Sequence, residues 1–133
     1  MSAAPPTPDR PTFYDAVGGE ATFYRLVHRF YEGVRTDPPL RALYPDEELD
    51  EAEDRLRMFL VQYWGGPRTY SDQRGHPRLR MRHVPFAVTP DARDRWLHHM
   101  RTAVDELELG EPYATMLWDY LVSAAHSMVN RFE

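Results

Sequence analysis

The chain contains no cysteine and no lysine. Without cysteine there is no disulfide frame, no thiolate ligand and no zinc finger, so any metal chemistry has to use His, Tyr, Met or carboxylates. Without lysine, all 16 basic residues are arginine, and against 21 acids they leave a net charge of -5. That balance argues against a general nucleic-acid binder. No apolar run approaches the length of a membrane span. The first residues, MSAAPPTPDRPT, lack both a basic start and an apolar segment, so they read as neither anchor nor signal peptide, and a cytoplasmic protein is expected. No stretch alternates with the period of two that strands require. At 133 residues, 42% of them apolar, the chain suits one compact all-α domain with no room for a second.

One stretch reverses the overall sign of charge. From Arg74 to Phe86 the sequence reads RGHPRLRMRHVPF, with Arg74, His76, Arg78, Arg80 and Arg82 around His83 and no acid at all. Pro77 can open a short helix, because a proline at the first helical position gives up an amide that would be unpaired anyway, and Pro85 must end it. His83 then sits on the last turn of a helix too short to stand alone. Leu79 and His83, four apart, share the face that lies on the rest of the domain. Two readings compete for this imidazole. It is a half-buried histidine bonded to a carbonyl in a loop that binds nothing, or it is the ligand of an iron in an anionic cofactor whose carboxylates the arginines meet.

The remaining elements follow from apolar periodicity. Residues 1–11 hold four of the twelve prolines among small and polar residues and read as a disordered tail. Gly18 and Gly19 break the chain after a turn over Thr12 to Val17. Phe23, Leu26, Val27, Phe30, Tyr31 and Val34 then form one helical stripe. Asp37-Pro38 opens a short turn that closes at Tyr44-Pro45. A long helix from about Glu47 to Trp64 splits its inner face into a row of Ala52, Leu56, Phe59 and Tyr63 and a flank of Glu53, Leu60 and Trp64, with Arg55 just outside the first row. Gly65-Gly66-Pro67 stops it. Gly66 to His76 has no period and reads as a loop. Thr89-Pro90-Asp91 caps a helix burying Trp96, Leu97, Met100, Ala103, Val104 and Leu107. A last helix, Tyr113 to about Asn130, buries Tyr113, Met116, Leu117, Tyr120, Leu121, Ala124 and Met128. Four substantial helices and three or four short ones are expected.

The other polar candidates carry less. His28, His98 and His126 point away from their apolar stripes, and His99 sits at an edge. Adjacent His98 and His99 are about 100° apart on a helix and cannot clasp one metal. The acids Asp46, Glu47, Glu48, Asp50, Glu51, Glu53 and Asp54 crowd a helix start, as a solvated cap or a calcium site.

Taken together, Tyr31, Tyr44, Gly65-Gly66-Pro67, the run from His76 to His83 and Trp96 resemble the group II truncated haemoglobins, of the actinobacterial type. The stretches FYDAVGG, RLRMFL, QYWGGPRTYS and GHPRLRMRH carry the match over about Phe13 to Asn130. The resemblance implies a truncated globin domain over 12–133, a two-over-two helical sandwich holding haem b (iron protoporphyrin IX). It makes His83 the proximal iron ligand and Tyr31, Tyr44 and Trp96 the polar distal residues. Ala52 stands where larger globins carry a distal histidine, and Leu56 and Phe59 wall the pocket. The haem propionates would meet Arg55 and Arg82, with Tyr70 or His76 beside them, while Tyr63, Leu79, Phe86 and Met100 complete the cofactor contacts.

The implied ligands are oxygen and other diatomic gases, nitric oxide and carbon monoxide, or peroxide. Two distal donors to a partly charged ligand, at roughly 1.5 kcal/mol each, would give high oxygen affinity and slow release. That suits a sensor, scavenger or catalyst better than oxygen transport. An enzymatic reading, peroxidase or nitric-oxide dioxygenase, would need a reductase. A helical interaction module without haem is the third class. A monomer or homodimer fits the surface pattern.

Overall fold

A computed structural model describes residues 12–45 and 47–132. The proposed tail at 1–11, and Asp46 of the acidic run, lie outside the described residues. The helices in order are α1 (Phe13–Ala16), α2 (Glu20–Arg35), α3 (Pro38–Arg41), α4 (Asp50–Tyr63), α5 (Thr69–Arg74), α6 (Leu79–His83), α7 (Pro90–Leu107) and α8 (Tyr113–Met128), and there is no strand among the described residues. The helix pair α2 and α4 packs over the pair α7 and α8, with α2 against α7 as the most extensive contact. No described helix is long and apolar enough to cross a membrane.

The central helix is α2. All six residues of its stripe, Phe23, Leu26, Val27, Phe30, Tyr31 and Val34, are at most 3% exposed. Full burial of such side chains contributes about 1.5–3 kcal/mol each, which is why this stripe fixes the position of everything packed on it. Leu60 of α4, Met100 of α7 and Leu117 and Leu121 of α8 complete the fully buried centre.

Loop chemistry sets the ends of the helices. Thr12 and Asp15 form a capping box on α1. The Tyr14 amide donates to the Trp64 carbonyl at 2.9 Å, tying α1 to the end of α4. That approach needs glycine in the following turn. Gly65 has φ 99°, and a Cβ on Gly66 would sit 2.6 Å from Val61 and 2.8 Å from the Tyr14 ring. Thr89 caps α7 by accepting from the Ala92 amide, as its sequence indicates.

Four expectations are corrected. Residues 69–74, read as loop, form α5, because its order comes from burial of Tyr70 and from Gln62, which accepts from the Ser71 amide at 2.9 Å and donates to the Ser71 hydroxyl at 2.7 Å. Pro77 does not open α6: Arg78 takes a left-handed conformation (φ 42°), and the helix begins at Leu79. Met116 is 43% exposed, because the row Leu117, Leu121, Ala125 is the one turned inward. Tyr63 is 51% exposed, its ring lying against Tyr120 beyond the core.

Candidate functional site

A cavity of about 490 Å³ opens between α4, α6, α7 and α8. Its size is that of a small-molecule or cofactor site, about 300–1,000 Å³. Twelve of the candidate residues are brought to its wall: His83, Tyr31, Tyr44, Trp96, Ala52, Leu56, Arg55, Phe59, Tyr70, Leu79, Arg82 and Phe86. Three are not. Tyr63 is turned outward, His76 is exposed and spends its Nδ1 on the Arg78 amide at 3.1 Å, and Met100 is fully buried in the core behind the wall. The sequence reading also missed part of the lining. Leu40 and Leu43 come from α3 and its end, Arg74 from α5, Arg93 from the first turn of α7, and Ala125 and Met128 from α8.

On one side stands His83. Its Nδ1 lies 2.6 Å from the Leu79 carbonyl. A carbonyl only accepts, so Nδ1 carries the proton and Nε2 keeps its lone pair for a metal. Because α6 has only five residues, its place is set from outside. The Asn130 side chain donates to the His83 carbonyl at 3.1 Å and accepts from the Val88 amide at 2.9 Å. On the near flank the Arg82 guanidinium donates to the carbonyls of Pro77 (2.6 Å), Arg74 (2.9 Å) and His76 (3.2 Å). Arg82, expected at the cofactor carboxylates, is thus largely a pin for its own loop, and its cation lies 5.6 Å from the centre of the Tyr70 ring. Asn130 carries no signal in the sequence, since its bonds run to backbone atoms of a distant loop.

On the other side stands a linked polar group. The Tyr44 hydroxyl is joined by side-chain hydrogen bonds to Tyr31 and to the Trp96 indole. The two tyrosine rings meet edge to face at 5.7 Å, and Trp96 leans on Phe30 at 5.1 Å. The Tyr31 hydroxyl also lies 3.4 Å from the Ala52 carbonyl. Burial pushes the Tyr44 phenol up to about 12, against the two hydrogen bonds and the Arg55 charge, which pull it down. Burial likewise holds Tyr31 well above the usual phenol range. Both phenols are therefore neutral donors at physiological pH. Ala52 leaves this corner open, as a larger side chain there would not.

Among the described residues no cluster of three His, Asp or Glu side chains could hold a bare metal ion. The donor set instead fits a metal that brings most of its own ligands: one imidazole with a fixed tautomer, a largely apolar cavity, neutral donors on its wall, and the arginines 55, 74 and 93 there for anionic substituents.

A two-over-two helical sandwich with one imidazole facing hydroxyl and indole donors across an apolar gap is the architecture of a truncated globin. The chain belongs to the bacterial-like globin family, whose model matches residues 12–130. It is similar to the group 2 truncated hemoglobin YjbI of Bacillus subtilis, with 39% identity over 90% of this chain and 89% of that one. Among solved structures it is similar to a thermostable hemoglobin from the actinobacterium Thermobifida fusca, with 64% identity, TM-score 0.89, and 90% of this chain and 98% of that one covered. A truncated oxygen-avid haemoglobin from Bacillus subtilis matches at 38% identity and TM-score 0.84, over 90% of this chain and 100% of that one. Haem-based binding of oxygen is the general property of the family.

Proposed function

We propose that the cavity holds haem b with His83 as the axial ligand, and that the chain binds oxygen tightly and releases it slowly under the control of Tyr44, Trp96 and Tyr31. The observation that carries this reading is the Nδ1 contact of His83 with the Leu79 carbonyl, set across the cavity from the linked Tyr44–Trp96–Tyr31 group. Haem, when bound, supplies an iron centre with one position open to a diatomic ligand. The protein's part is then positional and electrostatic. His83 offers Nε2 while the Leu79 carbonyl keeps its ring from turning. Arg55 and Arg74 offer cations to the propionates. Tyr44 and Trp96 turn their donors toward a ligand that carries partial negative charge, and oxygen attracts such donors more than carbon monoxide does.

The donors are already paired with one another, so the gain on binding is the difference between the bonds made and the bonds given up. This lowers the net effect on affinity below the sum of the two new bonds, while the barrier to release keeps their full strength. The oxygen-avid relative has the same overall fold. A reductase in the cytoplasm would keep such a protein in its ferrous state.

The test is an absorption spectrum of the purified protein, oxidised and then reduced with dithionite, beside His83→Gly. A haem spectrum in the wild type that becomes ligand-deficient or disappears in the variant is the expected result. A colourless protein that takes up no added haem overturns the reading.

A further inference from the structure

Away from the cavity, the outer surface of α6 stands apart from the rest of the molecule. Leu79, Arg82 and His83 turn one face of this helix to the cavity wall. On the other, Arg78 and Arg80 are exposed, Met81 is 65% exposed, and Val84, the residue after the helix, is 64% exposed. Met81 and Val84, three apart, are neighbours on the surface. Of the arginines among the described residues, all but Arg68, Arg78 and Arg80 have an interaction partner for the side chain. Two uncommitted cations beside two bare apolar side chains have the make-up of a protein interface, apolar at its centre and polar at its rim. The backbone beneath is already held, because Arg82 gathers the carbonyls of Arg74, His76 and Pro77 just before the helix. Little order is then lost when a partner arrives.

We propose that this face docks a small acidic electron-carrier protein of the iron–sulfur type, which delivers one electron to the cavity across α6. This role rests on haem occupying the cavity. Charge complementarity selects the partner: the chain carries a net -5, yet from Arg74 to Phe86 it has four arginines and no acid. An acidic protein is therefore repelled by most of the surface and drawn to this part of it, which raises the rate of productive encounter. Position selects electron transfer. A helix with its side chains is about 10–12 Å across, so Met81 and Val84 lie one helix thickness from the cavity that His83 faces. In the step, the partner's reduced cluster loses one electron and the ferric iron gains it; no bond breaks and no proton moves. An anionic lipid surface is the weaker fit, since membrane-bound basic segments carry about four to eight arginines or lysines, and on this face only Arg78 and Arg80 are uncommitted.

The test uses the haem-loaded protein with an acidic plant-type ferredoxin as the probe. With the oxidised ferredoxin, hydrogen exchange followed by mass spectrometry shows protection of the peptide covering residues 78–84. With ferredoxin kept reduced by NADPH and its flavoprotein reductase, growth of the carbon monoxide complex at the Soret band reports arrival of the electron. In the wild type the rate falls tenfold or more from about 0.01 M to about 1 M salt, as the screening length drops from about 30 Å to about 3 Å. The double variant Arg78→Gln, Arg80→Gln reacts about tenfold more slowly at low salt and loses most of that salt dependence. Met81→Ser slows the reaction by the same factor at every salt concentration. A double variant as fast as the wild type at low salt overturns the docking face, and so does protection that falls only elsewhere. Sedimentation of the wild type, but not of the double variant, with phosphatidylglycerol vesicles, while ferredoxin reduces both alike, assigns the face to lipid and overturns the proposal. A protein that takes up no haem lacks the Soret band before any ferredoxin is added, and overturns the haem reading together with this one.

Discussion

Replacing Trp96 with phenylalanine separates the two bonds that the indole N–H makes. The ring keeps its packing on Phe30, at 5.1 Å, and only the donor is lost. With a ligand in the distal space, that donor meets partial negative charge, a bond worth about 1.5 kcal/mol; in the empty pocket it returns to the Tyr44 oxygen, a neutral bond worth about 1 kcal/mol. Departure breaks the first bond before the second re-forms, so Trp96→Phe speeds oxygen dissociation by roughly tenfold. Entry in the wild type must break the Tyr44 bond, so the variant also speeds association, by about fivefold at 1 kcal/mol. Affinity then falls only by about twofold, the ratio of the two changes. Stopped-flow replacement of oxygen by carbon monoxide gives the first rate, and laser photolysis gives the second. An unchanged dissociation rate would refute the role of the indole. A tenfold rise with no change in association would refute the pairing of Trp96 with Tyr44 in the empty pocket.

Tyr44→Phe removes the oxygen that pairs the Trp96 indole, while Tyr31 keeps the Ala52 carbonyl, and the one unpaired donor costs about 1–2 kcal/mol of stability, measured by urea unfolding of the ligand-free protein. At Gly33 a Cβ would run into the His99 ring, so Gly33→Ala destabilises by about 1–3 kcal/mol in the same assay; an unchanged midpoint would mean that α2 and α7 can part there at no cost. Asp37 bonds His99 at 2.8 Å and Arg95 at 3.0 Å. Burial alone would raise its carboxyl, but the His99 hydrogen bond and the Arg95 charge hold it below the usual carboxylate range. The folded value is thus lower than the unfolded one of about 3.9, so the stabilisation is present above that pH and is lost as pH falls through the folded value. Asp37→Asn should flatten the acid limb of stability against pH, and an acid limb as steep as the wild type's would contradict this.

The parts of the fold legible in the sequence are those set by periodicity and capping. The α2 stripe is buried at every expected position, and Thr89 caps α7 as its side chain indicates. These signals are local, because a helix's apolar face is written in residues three and four apart. What was not legible depends on contacts between distant segments. Residues 69–74 lack a period because two bonds to Gln62 and the burial of Tyr70 order them. Glu53 was read both on the inner flank of its helix and in a solvated acidic cap; at 8% exposure it follows the first, and it is held at 2.9 Å by His28, whose place off its apolar stripe gave no sign of that contact. In the site, His83 stood out from its basic run, whereas Tyr31, Tyr44 and Trp96 were singled out only through the family resemblance, and all four reach the cavity wall. Tyr63 and Met100 were misplaced by one helical face, since an inner row read from spacing does not say which neighbour it meets or where the helix outruns the core.

The His83 side of the cavity shows how a five-residue helix can hold an imidazole in one orientation at all. A helix of that length has no stability of its own, because nucleation consumes what its few bonds return. α6 compensates with bonds at both ends, and nearly all of them go to backbone atoms. Arg82 gathers the three carbonyls of Arg74, His76 and Pro77 before the helix, and Asn130 holds the His83 carbonyl and the Val88 amide after it. The two clamps act on opposite ends, so the Leu79 carbonyl cannot shift without straining one of them. Since that carbonyl fixes the ring of His83, the direction of Nε2 is set by residues that need not touch a cofactor at all. Within the basic run, Arg82 is therefore first of all part of the frame. Arg82 builds the turn, while Arg55, Arg74 and Arg93 reach the cavity wall from α4, α5 and α7.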